Sequence, residues 1–229
     1  MLNILLTNDD GYLANGINIL KSLLSKYGKV FVVAPKTVMS AKSVAITLGI
    51  PIAVKKEAED LYVVEGTPAD CVSFGLANLG IKFDLVVSGI NHGVNLSYDT
   101  MYSGTVGACL QALTYGVKTF AVSCNNNFDL VEKYFDEVYK YILDNKLLSN
   151  RYMLNINFPY GDKVGKIKQT HLFYRAETTY FDKVGDENYY ALRQLHDEEC
   201  PDEDSDVYAV HHNIVSITKL ARSLDYAKE

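Results

Sequence analysis

Two adjacent carboxylates, Asp9 and Asp10, are the side chains of this sequence that most directly suggest chemistry. They follow a short apolar run, Leu2 to Thr7, and Gly11 comes next, as in a tight turn. Two like charges held close together are unfavourable unless a cation neutralises them. Carboxylate oxygens suit hard ions such as Mg²⁺, Mn²⁺ or Ca²⁺. The pair therefore indicates a divalent-metal site, and a solvated turn or a helix cap is the competing interpretation.

A second polar group, Ser103-Gly104-Thr105, lies where the sequence predicts the start of a helix. The free backbone N–H groups and the dipole of a helix N-terminus can bind a phosphate. A hydroxyl residue at this position is also a common helix cap, so a purely structural interpretation stays open. With the two carboxylates, this turn suggests phosphate chemistry beside a cation.

The elements that must position these residues alternate between strands and helices. Short apolar runs predict strands at 2–7, 29–34, 83–88 and 117–123. Apolar residues at helical spacing, with cap and stop signals, predict helices within 17–24, 67–79, 103–115 and 129–147. This alternation indicates an α/β fold with a doubly wound, mostly parallel sheet.

Polar residues collect at the predicted carboxyl ends of these strands, which is where ligands bind in an open parallel sheet. They follow the first strand, the second strand and the strand at 83–88. These residues are Asn8, Asp9, Asp10, Ser40, Asn91, His92 and Asn95. We therefore expect one polar rim, completed by the loop before the helix at 103.

Two stretches interrupt the alternation. Residues 43–64 read as a β excursion, with strands at 50–54 and 61–64. Beyond Pro159 the chain becomes strand-like and polar, with an acidic stretch at 197–206 and late strands predicted at 207–210 and 214–217. No linker composition divides the chain. We expect one domain over 1–229, with a core at about 1–158 and a β-rich extension at 159–229.

Composition and charge narrow the class of function. The chain has 229 residues and a formal net charge of −6, and an acidic surface repels the phosphates of long nucleic acids. Four scattered cysteines without a CxxC pair argue against zinc and fit a reducing cytoplasm. No run is long and apolar enough to span a membrane, and the start lacks the basic segment of a signal peptide. We expect a cytoplasmic protein without a membrane partner.

Two other phosphate-handling designs do not fit. The glycines of 89–93 are too few and too irregular for a P-loop or a dinucleotide fingerprint. Phosphatases of the haloacid dehalogenase type carry two aspartates two positions apart after the first strand, and Gly11 occupies the second position here. A phospho-aspartate mechanism therefore lacks its pair.

Several motifs, in order, resemble those of the SurE family of 5′-nucleotidases. The first is Leu5-Leu6-Thr7-Asn8-Asp9-Asp10-Gly11, and the resemblance extends over nearly the whole chain. The other matching segments are 32–35, 40–41, 46–47, 66–72, 87–91, 102–106, 154–159, 206–210 and 215–218. This ordered set is far more specific than any single motif.

The resemblance implies a Rossmann-like fold that binds one divalent ion, Mg²⁺ or Mn²⁺, at its carboxyl rim. The implied metal ligands are Asp9, Asp10, Ser40 and Asn91. The residues implied to meet the phosphate are Asn8, Asn95, Ser103, Gly104 and Thr105, and those implied to act in catalysis are Asp9, Asp10, Asn95 and Ser103. The implied substrates are nucleoside 5′-monophosphates, with 3′-monophosphates and short polyphosphate as further ones. The implied assembly is a homodimer or homotetramer whose C-terminal segments reach the partner.

Three departures from the family pattern leave substrate preference open. Lys42-Ser43-Val44 replaces a Thr-Gly-His-like stretch, Gly93-Val94-Asn95 replaces a Gly-Pro-Asn turn, and Lys219 stands where the closing motif has proline. Lys42 adds a cation near the rim. A nucleotide-binding or sensor protein without catalysis, and a structural role for the acidic tail, are the alternative functions.

Overall fold

The structure is a computed structural model of the chain, and it describes residues 1–173, 178–185, 189–195 and 200–221. Part of the predicted acidic stretch, 197–199, lies outside the described residues. The strands are β1 Leu2–Thr7, β2 Gly28–Pro35, β3 Val54–Ala58, β4 Leu61–Val64, β5 Leu85–His92, β6 Lys118–Cys124, β7 Tyr152–Asn157, β8 Lys166–Thr170, β9 Thr178–Lys183, β10 Tyr190–Leu195 and β11 Ile214–Ala221. The helices are α1 Asn15–Leu24, α2 Pro68–Asn78, α3 Asp99–Tyr102, α4 Gly104–Thr114, α5 Phe128–Asp144 and α6 Asp206–His211. Within those ranges, no helix combines the length and apolar character needed to cross a membrane.

The described strands form a nine-stranded sheet in the order β3-β4-β2-β1-β5-β6-β7-β11-β8 and a separate β9–β10 hairpin. Strand β1 pairs in parallel with β2 on one side and with β5 on the other. The winding therefore reverses direction at β1, and the carboxyl ends of β1 and β5 border the crevice in which such sheets bind ligands. Within the nine-stranded sheet of the described residues, the antiparallel pairs are β3 with β4 and β11 with β7, and the β9–β10 hairpin is antiparallel as well. The predicted mostly parallel α/β fold is confirmed.

The central strands β1, β2, β5, β6 and β7 are apolar at consecutive positions and are buried on both faces, whereas the edge strands β3 and β8 are exposed or half-buried. Leu6 of β1 packs with Ile17 of α1 in one cluster, which α5 also joins. Leu5 faces the other way and packs with Cys71 of α2 in a second cluster. Cys71 and Cys109 are both fully buried, which confirms their interpretation as small core residues.

A segment predicted as a strand, 207–210, lies instead in helix α6. Ser205 caps this helix by accepting a 3.1 Å hydrogen bond from a backbone N–H of the first turn. Val207 and Val210, three positions apart, pack on the same side against Leu96. The strand prediction was wrong because the cap and packing at helical spacing outweigh the strand preference of valine.

The strand predicted at 50–54 is also displaced, since β3 begins at Val54. Pro51 has no backbone N–H to donate to a ladder, and Ile50 is 69% exposed, so this stretch gains little from pairing. Val54 pairs with Val64 of β4, at the edge of the sheet. The strand predicted at 61–64 is confirmed as β4.

Candidate active site

Asp9 lies two residues after the end of β1, at the point where the strand order reverses, and is only 4% exposed. Thr105 of α4 donates its hydroxyl to Asp9 Oδ1 at 2.5 Å. Burial raises the pKa of the Asp9 carboxyl, the hydrogen bond from Thr105 opposes this, and the charge of Asp10 raises the pKa further. A buried acid with a second acid beside it stays ionised only if positive charge is close.

Helix α4 approaches Asp9 closely because its first residue is Gly104. A Cβ at Gly104 would lie 2.9 Å from both Cβ and Oδ2 of Asp9, and 3.1 Å from the carbonyl oxygen of Met39. Real Cβ atoms do not tolerate such distances to packed neighbours. The glycine therefore lets the N-terminus of α4 sit directly against the acidic turn, so the two polar groups of the sequence meet.

Ser103 caps α4, as the structural interpretation predicted. Its Oγ accepts a 3.1 Å hydrogen bond from the backbone N–H of Val106. The hydroxyl hydrogen of Ser103 is not used by that bond and can donate to an anion. The hydroxyl of Thr105, in contrast, is engaged with Asp9. Ser103 and Thr105 thus differ in what each can offer a phosphate.

Asp10 lies beside the end of β5. The backbone N–H of His92 donates to Asp10 Oδ2 at 3.3 Å. The neighbouring residue Asn91 donates its side-chain Nδ2 to the carbonyl oxygen of Gly93 at 2.9 Å. Because this bond uses the amide nitrogen, the amide oxygen of Asn91 is the atom that remains for a cation. The structure therefore brings two predicted ligands to adjacent strand ends.

Ser40 belongs to the loop between β2 and β3, and several bonds attach this loop to the site. The backbone N–H of Met39 donates to the carbonyl oxygen of Asp9 at 2.7 Å. Ser43 donates from its backbone to Tyr102 at 2.9 Å and from its hydroxyl to the Met101 carbonyl at 2.7 Å. Ser40 itself is exposed. The loop thus spans from the acidic turn to the residue before Ser103.

Asn8 differs from the other predicted site residues because it is fully buried. Its Nδ2 donates to the carbonyl oxygen of Gly11 at 2.9 Å, which closes the turn that carries both acids. This contact gives Asn8 a role in shaping the turn. Its contact with phosphate stays a prediction.

Asn95, in the loop after β5, is 6% exposed and held by the ends of β6 and β7. Its Nδ2 donates to Ser123 Oγ at 2.9 Å, and its backbone N–H donates to Asn157 Oδ1 at 2.8 Å. The structure therefore fixes Asn95 firmly, through residues that lie far away in the sequence.

Comparison with known proteins decides the family. The model of the family described as "Survival protein SurE" matches residues 4–179. The chain belongs to the SurE family. It is 40% identical over 236 aligned positions to the 5′-nucleotidase SurE of Thermosipho africanus, covering 96% of this chain and 91% of that one. It is 38% identical over 232 positions to the 5′-nucleotidase SurE of Mannheimia succiniciproducens, with 96% and 92% covered.

A solved structure of the family shares the fold. The crystal structure of the SurE protein from Aquifex aeolicus superposes with a TM-score of 0.85 at 34% sequence identity. The match covers 97% of this chain and 94% of that one. The resemblance inferred from the ordered motifs is therefore confirmed for both family and fold.

The donor atoms of this SurE-family site suit a hard divalent cation. Two carboxylates, a hydroxyl and an amide oxygen are the ligand types that Mg²⁺ and Mn²⁺ prefer. In the part of the chain that the structure describes, no three His, Cys, Asp or Glu side chains group to hold a metal. A cation here would thus depend on the neutral oxygens of Ser40 and Asn91 as well as on the acids.

Sequence reasoning missed Ser123, Asn155 and Asn157, which contact Asn95 in the SurE-family site. A signal was available, since Asn155 and Asn157 alternate with Leu154 and Ile156 in an apolar strand. Amides in a strand that is buried on both faces need hydrogen-bond partners. That requirement predicts a polar contact near the carboxyl end of β7, but the identity of the partner, Asn95, comes from the fold.

Proposed function

We propose that this chain is a 5′-nucleotidase that hydrolyses nucleoside monophosphates with one divalent cation, Mg²⁺ or Mn²⁺, held by Asp9, Asp10, Ser40 and Asn91. The observation that supports this most strongly is the buried Asp9 carboxylate, which lies beside Asp10 and has a raised pKa. Such an acid pair is stable as two anions only with a cation between them. The relatives are named as 5′-nucleotidases, which indicates the reaction.

The protein groups around the cation supply binding and charge stabilisation. When bound, the cation contributes Lewis-acid activation of phosphate and water. The Ser103 hydroxyl and the first backbone N–H of α4, at Gly104, donate to phosphate oxygens. Asn95 is held at the same rim and provides a further amide contact. Donors fixed in place before reaction stabilise the charge that develops on the phosphoryl group.

The carboxylates and the helix N-terminus have opposite effects on the substrate. Asp9 and Asp10 repel a phosphate dianion, whereas the positive end of the α4 dipole attracts it. Because Gly104 lets α4 approach Asp9 so closely, both fields act on the same small volume. A divalent ion on the acids reverses their local field, so substrate binding depends on the cation.

The finer substrate range is part of the proposal. Hydrolysis of 3′-monophosphates and short polyphosphate accompanies the main activity. Lys42 is exposed on the same loop as Ser40, and no ion pair is formed by it within the described residues. The residues on either side, Ala41 and Ser43, have positive φ angles of 56° and 51°. Such constrained backbone favours a defined loop shape, which supports a role for Lys42 in binding longer anions.

The assembly is proposed as a homodimer or homotetramer formed by the extension after Pro159. Among the described strands, β9 and β10 pair only with each other. An isolated hairpin is marginally stable in water. Large apolar side chains of the hairpin are exposed, at 43% for Tyr180, 66% for Phe181 and 55% for Leu192. A partner subunit would cover these side chains.

A cytoplasmic location is a separate part of the proposal and remains a prediction.

The experiment that tests the activity measures phosphate release from AMP and GMP with Mn²⁺ or Mg²⁺ and with EDTA. We expect phosphate release with the metal ion and none after chelation. Asp9→Ala and Asp10→Ala should each abolish phosphate release. If nucleotide binding survives EDTA and no condition gives phosphate release, the result would instead support the alternative function, a nucleotide-binding or sensor protein without catalysis. Unchanged turnover in both variants would overturn the metal-site assignment.

A further inference from the structure

We infer that Ser123, Asn155 and Asn157 form a clamp that positions Asn95 for phosphoryl transfer, an inference that rests on the proposed role of Asn95. These three residues touch Asn95 from the carboxyl ends of β6 and β7. None of them is assigned to the metal or to the phosphate, so we describe them as positioning residues.

The backbone of Asn95 is held on both of its polar groups. Its N–H donates to Asn157 Oδ1 at 2.8 Å, and its carbonyl oxygen accepts from Asn157 Nδ2 at 3.0 Å. One side-chain amide thus pairs with one residue's N–H and C=O, much as a neighbouring strand would. Asn155 adds a second bond to the same carbonyl oxygen at 2.8 Å.

The side chain of Asn95 is oriented separately. Its Nδ2 donates to Ser123 Oγ at 2.9 Å. One of the two hydrogens of that nitrogen is thereby used, and the second stays available for a phosphate oxygen. Ser123 also aligns with Asn91 across β5 and β6, and with Asn157 across β6 and β7. Ser123 and Asn157 therefore lie in the same cross-strand row as Asn91, a proposed metal ligand.

The burial of the clamp is difficult to explain by stability alone. Ser123, Asn155 and Asn157 are all fully buried. The Oδ1 atom of Asn155 is buried and has no hydrogen-bond partner among the residues that the structure describes. An unpaired buried acceptor is destabilising, so an apolar residue of similar size would suit the fold as well or better. Asn155 is instead explained by its bond to Asn95.

The test separates positioning from folding by measuring kcat, KM, the Mn²⁺ half-saturation and the thermal midpoint for each variant. Asn155→Leu removes the bond to Asn95 together with the unpaired acceptor. We expect an unchanged or higher thermal midpoint, a kcat that falls roughly tenfold because a displaced catalytic group loses rate steeply, and roughly unchanged Mn²⁺ half-saturation. Ser123→Ala should lower kcat to a similar extent, and Ser123→Thr, which restores a hydroxyl, should recover most of it.

Asn95→Ala and the double variant Ser123→Ala/Asn95→Ala show whether the clamp acts through Asn95. If it does, the double variant has the same kcat as Asn95→Ala alone, because nothing remains to be positioned. Ser73→Ala serves as the matched control. Ser73 accepts a 2.9 Å bond from Gln111, between α2 and α4, so its loss removes a comparable contact outside the clamp and should leave kcat unchanged.

Three outcomes would overturn the clamp. One is a wild-type kcat in both Asn155→Leu and Ser123→Ala while Asn95→Ala is impaired, a result that leaves the proposed function intact. Another is independent losses that multiply in the double variant. The third is full activity in Asn95→Ala, which would remove the proposed role of Asn95 itself and the clamp with it.

Discussion

At the scale of single residues, the charge of Asp10 acts on the buried carboxylate of Asp9 and helps to raise its pKa. Without a cation, the repulsion between the two carboxylates destabilises the folded protein. When a cation binds, both carboxylates attract it and their mutual repulsion is offset. Both acids could be predicted from the sequence, because of their residue type and their position after a predicted strand. The bond between Thr105 and Asp9 could not be predicted in this way, because the two residues are 96 positions apart.

Asp10→Asn should therefore raise the thermal midpoint in EDTA and remove the stabilisation that Mn²⁺ gives the wild type. A ligand at 100 times its Kd stabilises a protein by about 2.7 kcal/mol, which differential scanning fluorimetry detects easily. We expect a kcat/KM loss of roughly 100-fold or more, because a metal ligand is removed. Asp162→Asn makes the same charge change at an exposed position. It should leave the thermal midpoint in EDTA, the stabilisation by Mn²⁺ and kcat/KM unchanged. An unaltered Mn²⁺ response in Asp10→Asn would contradict its assignment as a ligand.

Lys42→Gln should weaken activity on short polyphosphate more than on AMP. The substitution removes a positive charge two residues from Ser40, and a longer polyanion gains more from such a charge than a monophosphate does. We expect KM for tripolyphosphate to rise roughly threefold to tenfold at low ionic strength, with the difference shrinking in salt. Lys118→Gln, at the amino end of β6, is the control for net charge. Equal changes for both substrates would contradict a selective role for Lys42.

At the scale of elements, α4 determines where the Ser40 loop lies. A Cβ at Gly107 would lie 1.9 Å from the carbonyl oxygen of Ser43, and backbone cannot yield as a flexible side chain can. Gly104 brings the same helix against Asp9. The two glycines, three positions apart, hence fit one helix between the acidic turn and the loop.

Gly107→Ala should displace that loop and weaken Mn²⁺ binding. Overpacking of this kind costs about 1–3 kcal/mol of stability, so the protein should remain folded. Isothermal titration with Mn²⁺ should show the loss of affinity directly. Ala112→Gly on the same helix is the control, since it costs about 1 kcal/mol through helix propensity and about 1 kcal/mol more through loss of a buried methyl group, and leaves the loop in place. Equal Mn²⁺ affinity in both variants would show that the close contact does not position the loop.

Element types were predictable where local signals agreed. Thr67 caps α2 and Pro68 is its first residue, as the sequence indicates, and a reciprocal bond with Asp70 completes the cap. The helix at 206–211 was missed because its valines favour a strand locally. Packing against Leu96, more than 100 positions earlier in the chain, stabilises it as a helix.

At the scale of the whole molecule, the β9–β10 hairpin stands apart from the main sheet in the described part of the chain. Phe181→Ser combined with Leu192→Ser should reduce the molecular mass measured by light scattering after size exclusion. The reason is that the double change removes apolar surface that a partner would cover. Leu143→Ser, on α5 and also exposed at 48%, is the control and should leave the mass unchanged. An unchanged mass in the hairpin variant would exclude this surface from the assembly.

Local patterns in the sequence predicted the alternation of strands and helices and placed the acid pair and other polar residues after strand ends. All of these depend on residues close together in the chain, or on the rule that parallel strands end at one edge. The bond from Thr105 to Asp9 and the bond between Asn95 and Asn157, 62 positions away, became visible only in the folded chain. Local spacing cannot encode such contacts, because they form only when separate strand ends and a helix N-terminus pack together.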